Sequence, residues 1–181
     1  MSILKIYAED DVNPLANMTD FDAIASTLQG IGVQFEQWTT DQVLDRQATS
    51  ELVLSAYQQS VDRLKQQYGF QSADVISLTP DHADKVALRQ KFLDEHSHSD
   101  FEVRFFVEGK GLFFIHHLNR VYGVMCEKGN LISVPADTKH WFDMGAEPEF
   151  KCIRLFTTPE GWVASYTGDK IADNFPRFEA F

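Results

Sequence analysis

Glu95-His96-Ser97-His98-Ser99-Asp100-Phe101-Glu102, followed further along by Pro135-Ala136-Asp137-Thr138-Lys139-His140, is the stretch that decides how this chain is read. Residues two apart on an extended chain share a face, so His96, His98 and Glu102 can all point inward from one strand, with Arg104 on the same side. His140 follows a Val-Pro turn and supplies a third imidazole. Three neutral imidazole nitrogens and a carboxylate suit a borderline divalent ion such as Fe, Ni, Mn, Co or Zn. An octahedral ion held by these side chains alone keeps two positions open, which a substrate chelating through two oxygens can fill.

From Phe101 onward the chain reads as short β-rich runs: 101–108, 111–118, 121–126, 131–134, 140–144 and 150–156. Gly109-Lys110-Gly111, Asn119-Arg120, Lys128-Gly129-Asn130 and Glu147-Pro148 separate them, which is the punctuation of an antiparallel sandwich or barrel. The first half mixes helices and strands. Alternation predicts strands over 3–8, 33–38 and 74–78, and helical spacing predicts helices over 21–29, closed by Gly30, and over 83–93. Leu52, Val53, Ala56, Tyr57, Val61, Leu64 and Tyr68 recur at helical spacing and predict one long helix over 50–68, stopped by Gly69. Nothing divides the chain, so the expectation is a single domain over 1–181, with helical elaboration in 1–95 and a barrel core in about 95–160.

A net charge of -11 repels phosphate backbones and anionic lipid surfaces, so neither nucleic acid nor membrane is the expected partner. The N-terminus turns acidic at Glu9-Asp10 before an apolar signal core develops, and the expected location is cytoplasmic. Cys126 and Cys152 are read as free, buried, small apolar residues. No long exposed apolar helix face announces an interface, and a monomer is the expectation.

In order and spacing the metal-ligand residues resemble the two cupin motifs. His96, His98, Glu102 and Gly109 match His-x-His-x3-Glu-x6-Gly, and Gly129, Pro135 and His140 match Gly-x5-Pro-x-Gly-x2-His-x3-Asn. Gln90 stands where the first motif opens with Gly, Asp137 replaces the Gly of the second, and Met144 replaces its closing Asn; no ligand is lost. Within the cupins the chain resembles the acireductone dioxygenase family. The likeness runs through Asp74-Val75-Ile76-Ser77-Leu78, Lys91-Phe92-Leu93, Glu102-Val103-Arg104-Phe105-Phe106-Val107-Glu108-Gly109, Ile132-Ser133-Val134-Pro135, His140-Trp141-Phe142-Asp143-Met144-Gly145 and Ile153-Arg154-Leu155-Phe156. It continues weakly through Gly161-Trp162 and Tyr166-Thr167-Gly168-Asp169. Phe101 departs from the acidic residue expected before the ligand Glu.

The resemblance implies a mostly β fold with flanking helices, a cupin β-barrel of the jelly-roll kind. It also implies one Fe(2+) or Ni(2+) per chain on His96, His98, Glu102 and His140, with dioxygen and an acireductone as substrates. An ene-diolate dianion needs cationic donors, and Arg104 and Arg154 answer that need; Arg154 interrupts the apolar run Phe150, Cys152, Phe156 at the same parity. Phe92, Phe142 and Trp162 look like the lining for an apolar methylthioethyl tail. Glu95 is expected on the opposite strand face as a solvated carboxylate, with ion loading or a hydrogen bond to a ligand His as the other role, and His82, His116 and His117 stay outside the site. The same ligands also fit another metal-dependent cupin dioxygenase or isomerase, or a non-catalytic cupin that binds a small molecule.

Overall fold

The computed structural model describes residues 1–39, 44, 48–158 and 162–181. In chain order its elements are β1 (Ile3–Ala8), β2 (Pro14–Met18), α1 (Phe21–Gln29), β3 (Gln34–Gln37), α2 (Ser50–Ala56), α3 (Gln58–Tyr68), β4 (Ser72–Leu78) and α4 (Lys85–Leu93). There follow β5 (His96–Ser97), β6 (Glu102–His117), β7 (Arg120–Glu127), β8 (Asn130–Val134), β9 (Lys139–Asp143), β10 (Phe150–Phe156) and β11 (Ser165–Tyr166), and the chain ends in 3-10 turns at Ile171–Asn174 and Phe178–Ala180.

One path of hydrogen-bonded strands runs β11-β5-β9-β6-β7-β1-β2; the other runs β4-β10-β6-β8-β3, and β6 belongs to both. The expectation of two separate strands over 101–108 and 111–118 is corrected here. Gly109 does not end a strand but bends a single one, whose first half pairs with β8 and β10 and whose second half pairs with β7 and β9. Gly109 has φ +72, and a Cβ added there would lie 1.8 Å from the Glu149 carbonyl oxygen, so only glycine fits the corner. The register against β10 jumps from Lys151↔Glu108 to Cys152↔Phe106, which leaves Val107 as an extra residue. A one-residue bulge reverses the alternation of side chains. Accordingly Glu102, Arg104 and Phe106 face the barrel interior before the bulge, and Phe113 and Ile115 face it after.

Three apolar clusters explain why the strands read as nearly continuous hydrophobic runs. Phe106, Phe113, Ile132, Phe142, Phe150 and Cys152 fill the space between the sheets. Val103, Phe105, Ile153 and Leu155 face outward against α2 and α3, and Leu112, Phe114 and Trp141 face outward against the C-terminal Ile171, Ala172 and Phe175. Each such fully buried side chain contributes about 1.5–3 kcal/mol of transfer free energy.

The helix expected over 50–68 is two helices, because Tyr57 leaves the helical region at φ -108 and ψ 15. Its ring is buried edge-on against Phe105, 5.1 Å between centroids, so tertiary packing overrides the continuous periodicity. Gly69 ends α3 in the left-handed conformation, its N–H donating to Lys65 O. The first 95 residues contribute more than helices, since β1 to β4 are hydrogen-bonded into the two sheet paths. β2 and β11 had no sequence expectation; they are short, and partly or wholly exposed.

Candidate metal centre and substrate cavity

Four buried side chains, His96, His98, Glu102 and His140, bring one ligand atom each to within 4.8 Å of one another. His96, His98 and Glu102 do not share one strand, which the alternation suggested. His96 lies on β5, His98 just beyond it, and Glu102 opens β6 after a turn. That turn is held by Asp100, whose carboxylate accepts from Phe101 N (2.7 Å), Thr157 N (2.8 Å) and Thr157 Oγ1 (2.6 Å). His140 on β9 is the direct cross-strand partner of His96. Asp137, in place of the motif glycine, adopts φ +60 and donates its N–H to His98 O (2.7 Å), so an aspartate serves the left-handed position.

Every imidazole is anchored through Nδ1. His96 donates to Asp94 O (2.7 Å), His98 to Val163 O (3.0 Å) and His140 to Thr138 O (2.8 Å), and a carbonyl can only accept, so Nδ1 carries the proton. The Nε2 lone pairs are thereby turned toward the centre. Nε2 of His98 and of His140 both approach the same oxygen, Glu102 Oε2, at 2.9 and 3.0 Å. Lone pairs that converge on a carboxylate in a buried pocket are stabilised by a cation, and the donor set fits one divalent ion.

Burial, then the neighbouring His140, depresses His96 to a pKa of about 4, which keeps it neutral. Burial also pushes His98 down, but the adjacent Glu102 carboxylate outweighs it and the net shift is upward. For Glu102 burial favours the neutral acid, yet the Arg104 charge, with the two nearby imidazoles, holds it well below the usual carboxylate range.

Arg104 is 3% exposed and donates from Nε to Glu102 Oε1 at 2.8 Å, while its Nη1 is buried without a partner among the described residues. Its guanidinium lies 4.6 Å from the ring centre of Phe142 and 5.5 Å from that of Trp162. Arg154 reaches the same cavity, as its parity predicted, and is held by Asp74. The cavity measures about 420 Å³, and its walls include His96, His98, Glu102, Phe92 and Trp162. Phe142 is a correction to the expected lining: it is 1% exposed and packs beneath Arg104, supporting the guanidinium instead of forming the wall. Gly161, part of the weak C-terminal resemblance, lies outside the described residues.

Glu95 is also corrected. It is not solvated but 1% exposed, its carboxylate accepting from His116 Nδ1 (2.6 Å) and Thr167 Oγ1 (2.9 Å), and it makes no hydrogen bond to a ligand imidazole. His116, left out of the site, is thus its ionic partner, while His82 accepts from Asp84 N near the start of α4. Sequence reasoning also missed Asp74, Lys91 and Tyr166 in the cavity wall. Lys91 adjoins Phe92, and that adjacency was the only local signal. Cys126 and Cys152 are buried and free, and burial pushes both thiols up.

A jelly-roll barrel with three imidazoles and a carboxylate opening on a small cavity defines a metal-binding cupin. The chain belongs to the ARD/ARD' family, whose model matches residues 4–164. It is 56% identical over 181 residues to an acireductone dioxygenase of Methylococcus capsulatus, covering 100% of this chain and 97% of that protein. To an acireductone dioxygenase of Aquifex aeolicus it is 55% identical over 179 residues, covering 99% and 97%. Among solved structures, an acireductone dioxygenase from Bacillus anthracis with a cadmium ion in its active centre superposes with a TM-score of 0.82 at 30% identity, covering 92% of this chain and 98% of that one.

Proposed function

We propose that this chain is a metal-dependent dioxygenase that cleaves the acireductone 1,2-dihydroxy-5-(methylthio)pent-1-en-3-one with dioxygen in methionine salvage. The products are 4-methylthio-2-oxobutanoate and formate with Fe(II), or carbon monoxide, formate and 3-(methylthio)propanoate with Ni(II). The observation that carries the reading is the convergence of four donors, three of them in the wall of a cavity that two guanidinium groups also line. Full-length likeness to acireductone dioxygenases supports it.

His96, His98, Glu102 and His140 hold the ion in this reading. When bound, such an ion supplies Lewis acidity and a template for a chelating ene-diolate. The remaining work falls to the protein. Arg104 offers a buried Nη1 that has no partner among the described residues, where a charge-assisted hydrogen bond to an enolate oxygen favours the dianion. Arg154 faces the second anionic edge. Phe92 and Trp162 take the apolar tail, and Trp162 is fixed by its own Nε1–H donating to Phe101 O at 2.9 Å. With Phe142 below and Phe92 beside it, Arg104 is shielded from water, which strengthens its interaction with an incoming anion.

The chain acts in this reading as a cytoplasmic monomer on a small molecule, without nucleic-acid or membrane partners; a net charge of -11 disfavours phosphate backbones and anionic lipid surfaces. Among the described residues no helix is long and apolar enough to cross a membrane. Purification without chelators, elemental analysis and product analysis with synthetic acireductone under oxygen test the proposal. One equivalent of Fe or Ni with metal-dependent oxygen uptake supports it, and oxygen uptake indifferent to metal overturns it. Light scattering on the eluting peak tests the monomer.

A further inference from the structure

Arg154 and Arg104 stand directly opposite each other on β10 and β6. Like charges in that relation repel. On its other side Arg154 is the direct cross-strand partner of Asp74 on β4, so one row across three strands reads Asp74, Arg154, Arg104. All three line the cavity. Asp74 meets Arg154 through both oxygens, accepting from Nε at 2.8 Å and from Nη2 at 2.6 Å. That side-on grip fixes the plane of the guanidinium and leaves Nη1, with the second proton of Nη2, for a ligand. Arg104 is held by a single contact, Glu102 Oε1 on its Nε, and its Nη1 has no partner among the described residues.

We infer that Asp74 is a positioning residue for substrate binding: its carboxylate holds the Arg154 guanidinium in the cavity against repulsion from Arg104, presenting it to the anionic edge of the substrate. This rests on the proposed activity for the identity of the ligand, though not for the behaviour of Arg154. Arg154 is only partly buried, its side chain 26% exposed, so without Asp74 only its stacking on Phe156 and Trp162, 5.4 Å from each ring centre, opposes a swing toward solvent and away from its like-charged neighbour. The cost then falls on binding, because Arg154 must be drawn back into place each time an anion enters. Charge alone predicts the opposite, a tighter anion site once a carboxylate leaves the wall.

The test uses the metal-loaded full chain with Asp74→Asn, Asp74→Glu and each combined with Arg154→Lys, measuring kcat and KM for acireductone and the nitrogen-15 signal of Arg154 Nε–H. Positioning predicts a KM roughly three- to tenfold higher for Asp74→Asn. With it come a kcat within about twofold, partial recovery in Asp74→Glu and loss of solvent protection at Arg154 Nε. In the Arg154→Lys background the same change has little further effect on KM. An unchanged or lowered KM, an equal KM rise in the Arg154→Lys background, or an Arg154 signal untouched by Asp74→Asn overturns the inference. Should the wild-type chain consume no acireductone while the Arg154 signal still depends on Asp74, the activity reading fails and the positioning of Arg154 stands.

Discussion

His96 and His140 face each other across β5 and β9 as direct partners, with ring centroids 4.6 Å apart. One donor comes from the first motif and its neighbour from the second, and the short pairing between β5 and β9 binds the two motifs together. Truncating either imidazole removes a donor and leaves the pair half-empty. His96→Ala and His140→Ala are each expected to lower metal affinity by more than the roughly 10–100-fold typical of changes around a metal site's outer partners. Metal content after dialysis, set beside oxygen uptake, checks this; stoichiometric metal in either variant contradicts it.

Arg104 keeps a buried Nη1 without a partner among the described residues, and in the reading proposed above that nitrogen serves the anion. Arg104→Lys keeps the charge but cannot give Glu102 and the substrate separate, fixed donors. Turnover is expected to fall by roughly 10²–10³-fold, the range found when a preorganised donor to a developing oxyanion is lost. Steady-state rates with a fixed metal load give the answer.

Gly109 admits no side chain. Gly109→Ala places a Cβ 1.8 Å from the Glu149 carbonyl oxygen at a positive φ, so the β6 corner must open. A loss of at least about 2 kcal/mol in unfolding free energy is expected from denaturant titration. Gly69→Ala is the control: it shares the positive φ, yet a Cβ there meets nothing within 4 Å. Its cost should stay near the roughly 1–2 kcal/mol of a left-handed alanine alone.

The C-terminal turn is fastened by charge. Arg89 donates to Asp143 (2.7 Å) and to Glu179 (2.8 Å), and Glu179 accepts from Ala146 N. Burial works to raise the Glu179 pKa, but Arg89 and Ala146 outweigh it, and the carboxyl sits below its ordinary 4.5. A folded value below the unfolded one contributes stability above pH 4.5 that is lost as the pH falls through the depressed value. Amide exchange over 171–181, corrected for intrinsic rates, should therefore quicken on acidification through that window. Glu179→Gln should abolish the dependence, and equal exchange on both sides of it would show the contact to be passive.

Much of this was legible from local pattern. α1 spans the 21–29 that helical spacing gives and stops at Gly30, and Arg154 points inward as its parity with Cys152 required. Where the reading failed, the deciding partner lay far off in sequence. His96, His98 and Glu102 alternate as though on one strand, but Asp100 turns the chain there by accepting from Thr157, 57 positions away. Glu95 passed for a surface carboxylate because His116, which buries it, is 21 positions on and Thr167 is 72. The role of Phe142 depended on depth: inward orientation was readable, but that Arg104 would lie above it was not. Nothing local marks Asp74 for the cavity, since only the β4–β10 register sets it against Arg154.

Because β6 serves both sheet paths, neither can come apart without disturbing the other. Glu102 and Arg104 lie in its first half and Ile115, which pairs with His140, in its second. Exchange measured at slow opening should thus find the barrel strands leaving together as one cooperative unit, with the ion held until that unit goes and released in a single event.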